Sequence, residues 1–86
     1  MTAPLRVELL TRQGCGLCDR ALAALTAVAR EVPLQVDPVD VDGDPALLRE
    51  FDWRVPVVRL AGRVVCEGLV TEADLRAALG REVAAP

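Results

Sequence analysis

Cys15-Gly16-Leu17-Cys18 constrains this chain more than any other stretch. It follows an apolar run, Leu5 to Thr11, and precedes a segment with helical periodicity. Two cysteines at this spacing on a helix start fall within one turn, so their sulfurs can approach closely enough to bond. Both lie at the positive end of the helix dipole, which favours a thiolate on the first of them. The thiolate is the nucleophile of disulfide exchange. A C-x-x-C pair between a strand and a helix therefore reads as a thiol–disulfide redox motif. The same spacing also serves zinc. Three cysteines and no histidine, however, do not complete a tetrahedral Cys/His site within one chain.

Eighty-six residues make one small domain, with a core expected over about residues 5–79 and a frayed tail over 82–86. The 52% hydrophobic content supports one core. A net charge of −3 argues against nucleic acid and against an anionic membrane surface as partners. All ten basic residues are arginine. No apolar stretch is long enough to span a bilayer, and Met1-Thr2-Ala3-Pro4 lacks the pattern of a signal peptide. The expected location is cytoplasmic, where a cysteine pair is more often catalytic or metal-binding than structural.

Leu5, Val7 and Leu9 alternate with Arg6, Glu8 and Leu10, which predicts a first strand. Gly14 supplies the backbone freedom for the turn into the helix. The helical apolar face reads Leu17, Ala21, Leu22, Leu25, Val28 and Val32, with Pro33 as the stop. Leu17 is either core or an exposed apolar contact for partners. Leu34, Val36, Val39 and Val41 predict a second strand, and Pro38 within it implies an edge strand or a bulge. Asp40, Asp42 and Asp44 read as a solvated face; they fit an EF-hand calcium loop poorly. Asp44-Pro45 opens a short helix as N-cap and first residue, with Leu47, Leu48 and Phe51 inward. Val55 to Val58 and Val64 to Cys66 form a hairpin turning at Ala61-Gly62 or Gly62-Arg63. Thr71 with Asp74 caps a last helix that buries Leu75, Ala78 and Leu79 and ends at Gly80. The order is β-α-β-α-β-β-α. The strand–helix–strand unit pairs parallel and the hairpin antiparallel, so the expected class is α/β with a four-stranded mixed sheet flanked by helices.

Cys15-Gly16-Leu17-Cys18, Arg54-Val55-Pro56-Val57-Val58 and Gly68 together resemble the thioredoxin-like fold, and most closely the glutaredoxin-like redoxins of bacteria. The resemblance covers roughly Leu5 to Leu79. It implies that Cys15 attacks a target disulfide and that Cys18 resolves the mixed disulfide. It implies a cis bond before Pro56, which presents the Val55 backbone to a bound peptide or glutathione. Arg12, Gly16, Leu17, Val55, Pro56 and Gly68 are then the expected substrate-binding residues. Arg12 matches the basic residue that glutaredoxins place three before the first cysteine. The position of the buried acid of thioredoxins falls at about Leu9, with Glu8 facing the other way. Gly16 replaces the proline usual in glutaredoxins. The Gly-Gly and acid pattern for glutathione is reduced to Glu67-Gly68-Leu69-Val70-Thr71, which implies weak glutathione binding. Cys66 reads as a small buried hydrophobe, and Trp53 as packing near the site.

The leading expectation is a monomeric thiol–disulfide oxidoreductase acting on protein or mixed disulfides. It needs no cofactor and no metal, and glutathione or a protein reductase serves as electron donor. The alternatives are a cluster-binding module, with a 2Fe–2S centre shared between two chains through Cys15, and an inactive interaction domain on the same fold.

Overall fold

The computed structural model describes residues 3–84. Strand β1 (Leu5–Thr11) lies inside the sheet and orients the other elements. Strand β2 (Leu34–Asp40) runs parallel to it, from Leu5 opposite Leu34 to Thr11 opposite Asp40. Strand β3 (Val57–Leu60) pairs antiparallel on the other side, from Val7 opposite Leu60 to Leu10 opposite Val57. Strand β4 (Arg63–Glu67) completes the hairpin, giving the order β2-β1-β3-β4. Helix α1 (Gly16–Val28) connects β1 to β2. Helix α2 (Pro45–Phe51) precedes β3, and helix α3 (Glu72–Ala84) follows β4. The expected order and mixed four-stranded sheet are the ones observed. Among the described residues, no helix is long and apolar enough to cross a membrane.

Successive strand residues point to opposite faces, and this splits the core in two. Val7, Leu9, Val58 and Leu60 pack with Ala21, Leu25 and Val28 of α1 and with Leu75 and Leu79 of α3. Leu10 and Val57 face the opposite layer, formed by Val41 and Phe51.

The local signals act as their chemistry requires. Asp44 Oδ1 accepts from the Ala46 and Leu47 amides at 2.9 and 3.3 Å, and Pro45 fills the first helical position. Thr71 Oγ1 accepts from the Asp74 amide at 3.1 Å. The hairpin turns at Ala61-Gly62, with φ of +52° and +79°. Positive φ at both central residues is the requirement of a type I′ turn, whose twist suits the strands.

Several elements differ from expectation. α1 ends at Val28, ahead of Pro33, and residues 29–32 turn back on the Leu25, Ala27 and Val28 carbonyls. Its buried face is Cys18, Ala21, Ala24, Leu25 and Val28, which leaves Leu17 and Leu22 each 43% exposed. One helical position turns a side chain by about 100°, enough to move Leu17 off the face that Cys18 occupies. β2 is indeed an edge strand, and its register with β1 runs through Pro38 without a bulge. It stops at Asp40, so Val41 is buried from a 3-10 turn, Val41–Gly43, instead of from the strand. β3 begins at Val57, leaving Val55 and Pro56 ahead of the strand. α3 passes through Gly80 to Ala84. Of the tail expected over 82–86, residues 82–84 extend α3 and 85–86 lie outside the described residues.

Candidate active site

The register gathers the sequence-predicted residues at one end of the sheet. β1 ends there at Thr11, opposite Asp40, and the cysteine loop follows. Leu10 pairs with Val57, so Val55-Pro56 enters beside that loop. Val57 pairs with Glu67, and the Gly68 amide donates to the Pro56 carbonyl at 3.0 Å. Gly68 holds a φ of +76°, the left-handed region that glycine tolerates best. The Val55–Pro56 bond is cis.

Cys15 is the N-cap of α1. Its Sγ accepts from the Cys18 amide at 3.1 Å, and its carbonyl accepts from the Asp19 amide at 3.1 Å. A helix start leaves amides without intrahelical partners, and a sulfur placed among them is a favoured site for negative charge. Cys15 and Cys18 are disulfide-bonded, with their Cα atoms 5.1 Å apart. Cys15 is half-buried, whereas Cys18 is 2% exposed. Cys15 is therefore the more accessible of the two cysteines.

Gly16 and Leu17 form the first two positions of α1, and both are exposed. Nothing lies within 4 Å of a Cβ built on Gly16, and the first helical position is one that proline also accepts. Leu9 is 1% exposed, and no charged residue is buried among the described residues. Glu8 faces the other way, where Arg59 Nη2 meets it at 2.9 Å. The buried acid of thioredoxins thus has no counterpart beneath Cys18.

Arg12 is engaged within the chain. Its Nε and Nη2 donate to Asp42 Oδ2 and Oδ1 at 3.3 and 2.8 Å. Nη2 also meets Asp52 Oδ1 at 2.8 Å, and Nη1 donates to the Asp52 carbonyl at 3.0 Å. Sequence reasoning placed Asp42 on a solvated face and gave Asp52 no role. Their spacing carries no sign of this pairing: the parallel β1–β2 register, with Thr11 opposite Asp40, brings Asp42 alongside Arg12, and Asp52 comes from the C-terminal end of α2. Asp40 and Asp44 are used locally, as caps for the Asp42 and Ala46 amides.

Arg54 and Glu67 form a second pair. Arg54 Nε meets Glu67 Oε2 at 3.0 Å, and Nη2 meets Oε1 at 3.2 Å. This bond holds the Glu67 carboxyl below the usual carboxylate range. Trp53, expected to pack near the site, is 93% exposed. It sits in the turn after α2, past Phe51, the last residue that α2 buries.

Cys66 is half-buried on β4, in the groove against α3. Burial, and secondly the Asp74 carboxylate, push its thiol pKa up. A thiol whose folded-state pKa is raised holds its proton more tightly folded than unfolded. The stability it contributes is complete below the ordinary thiol range and declines as pH rises from there through the raised value. Cys66→Ala should remove that alkaline decline and leave turnover nearly unchanged. Denaturant midpoints between about pH 7 and about pH 10 check the first, and a turnover assay the second. A variant that loses turnover would place Cys66 in the reaction.

The chain resembles Rv0508, an uncharacterized protein of Mycobacterium tuberculosis. The two are 41% identical over 81 residues, 88% of this chain and 84% of that protein. Among solved structures it matches XcR50 from X. campestris, with a TM-score of 0.74 and 38% identity, covering 93% of this chain and 99% of that one. It also matches a mutant thioredoxin from Halobacterium salinarum, with a TM-score of 0.62 and 26% identity, over 87% of this chain and 71% of that one. The fold is thioredoxin-like, and a cysteine pair at disulfide distance on that fold points to redox function. The family model described as Glutaredoxin-like domain (DUF836) matches residues 6–80, and the chain belongs to that family.

Proposed function

We propose that this protein is a thiol–disulfide oxidoreductase that reduces protein or mixed disulfides through Cys15 and Cys18. One observation carries the reading: an accessible N-cap cysteine, Cys15, is bonded to a buried partner one turn on, Cys18. In the reduced protein the Cys15 thiolate attacks one sulfur of a substrate disulfide. That S–S bond breaks, the displaced sulfur takes a proton, and Cys15 holds the other half as a mixed disulfide. Cys18 then gives up its proton and attacks Cys15 Sγ. The second substrate thiol leaves, so the two electrons of the Cys15–Cys18 dithiol now sit on the substrate's two thiols and the protein is left as the Cys15–Cys18 disulfide. A dithiol protein or two glutathione molecules would restore the reduced form.

Val55 supports a peptide substrate. It lies just ahead of β3, so its backbone can pair with an extended segment as an added strand does. Gly16 and Leu17 line the approach to Cys15 without side-chain bulk at Gly16. The test is dithiothreitol-driven reduction of insulin and of a cysteinyl-peptide mixed disulfide. Catalytic amounts of the protein should accelerate at least one of them well above dithiothreitol alone. No acceleration of either would overturn the reading.

A further inference from the structure

We propose that the Arg54–Glu67 ion pair sets the charge preference of the Cys15 site, turning it from small anionic disulfides toward neutral or cationic ones. The inference rests on the thiol–disulfide reading of that site. Arg54 immediately precedes Val55-Pro56, and Glu67 immediately precedes Gly68, whose amide is bonded to the Pro56 carbonyl. The pair therefore spans the segment that would meet a substrate. Its two N–H donors face the two carboxylate oxygens in a fork, the geometry by which arginine also holds a ligand carboxylate. The guanidinium lies 4.8 Å from the centre of the Phe51 ring, which fixes it from a second side.

Glu67 thus occupies the donors that an anionic thiol would need. Arg12, the other arginine near the cysteine loop, is held by Asp42 and Asp52. Arg20 is exposed on α1, two positions from buried Cys18 and so on the outward side. The arginines flanking the cysteine loop and Val55-Pro56 are thus paired with the carboxylates of Asp42, Asp52 and Glu67, which leaves neither guanidinium unpaired for an anion. A cation meets the same carboxylates with the opposite sign of interaction. Both members of the Arg54–Glu67 pair are about 40% exposed, so the pair is weak, salt-screened and dispensable for folding.

The experiment follows oxidation of the fully reduced protein by two disulfides, glutathione disulfide, which is anionic, and cystamine, which is cationic. Each oxidant takes two electrons and leaves as two thiols, so the rates compare directly. Glu67→Gln frees Arg54 and should raise the glutathione-to-cystamine rate ratio about threefold to tenfold at low ionic strength, with the gain shrinking in high salt. Arg54→Gln leaves Glu67 unpaired and should lower the same ratio. Opposite signs in two variants that break the same bond separate a charge effect from a structural one. A ratio that neither variant moves, or that both move in one direction, overturns this proposal alone. A wild-type protein that reacts with neither small disulfide yet reduces insulin also overturns this proposal alone, whereas one inert toward insulin and the cysteinyl-peptide disulfide as well overturns the thiol–disulfide reading.

Discussion

Under the proposed thiol–disulfide activity, Cys15→Ser should lower disulfide turnover by roughly a thousandfold or more, because a serine hydroxyl offers no thiolate at neutral pH. Cys18→Ser behaves differently. It leaves the attacking sulfur in place and removes the resolving one, so it accumulates stable mixed disulfides through Cys15. The asymmetry follows from geometry: Cys15 is half-buried with a backbone amide on its sulfur, and Cys18 is 2% exposed. Non-reducing gels and intact mass of each variant, after incubation with a disulfide-bearing peptide, distinguish the two. Equal trapping by both variants would mean that the order of attack is wrong.

Leu25→Ala should be strongly destabilising. Leu25 is fully buried on α1, in the cluster with Val7, Leu9, Val58, Leu75 and Leu79. A buried Leu→Ala change costs about 2–5 kcal/mol, the cavity included. A domain of this size shifts about 4–8 °C in Tm per kcal/mol, so the melting point should fall by more than about 8 °C. The denaturant midpoint should fall at constant slope. Trp53→Ala is the control, within about 0.5 kcal/mol of wild type, because its 93% exposed ring has little packing to lose. Similar losses in the two variants would refute the assigned core.

Much of this architecture is legible in the residue order because its determinants are local. Alternation in Leu5 to Thr11 marks a strand whichever strand it pairs with. Asp44-Pro45, Thr71 with Asp74, and Ala61-Gly62 act over two to four residues. The site is legible to the same depth: the C-x-x-C pair and Val55-Pro56 are short motifs, and the sheet brings them to one end. What is hidden depends on register. Arg54 reaches Glu67 across the β3–β4 hairpin, whose pairing shifts between Val58 and Arg59. No spacing rule includes that shift.

Gly80 shows a different limit. A glycine in mid-helix costs about 1 kcal/mol relative to alanine, and the burial of Leu75 and Leu79 just ahead of it offsets that cost. Propensity alone therefore stops α3 too early. Leu22 shows a third: an apolar residue one position off the buried face reads as core until the face is known.

Arg12 has a consequence for how this chain can change over generations. Its partners, Asp42 and Asp52, lie 30 and 40 residues away along the sequence. A lineage that lost the arginine would leave two carboxylates close together with no counter-charge. One that lost either aspartate would free donors beside the cysteine loop and alter its appetite for anions. The three positions are coupled through charge, so what a substitution at one of them does depends on which residues stand at the other two.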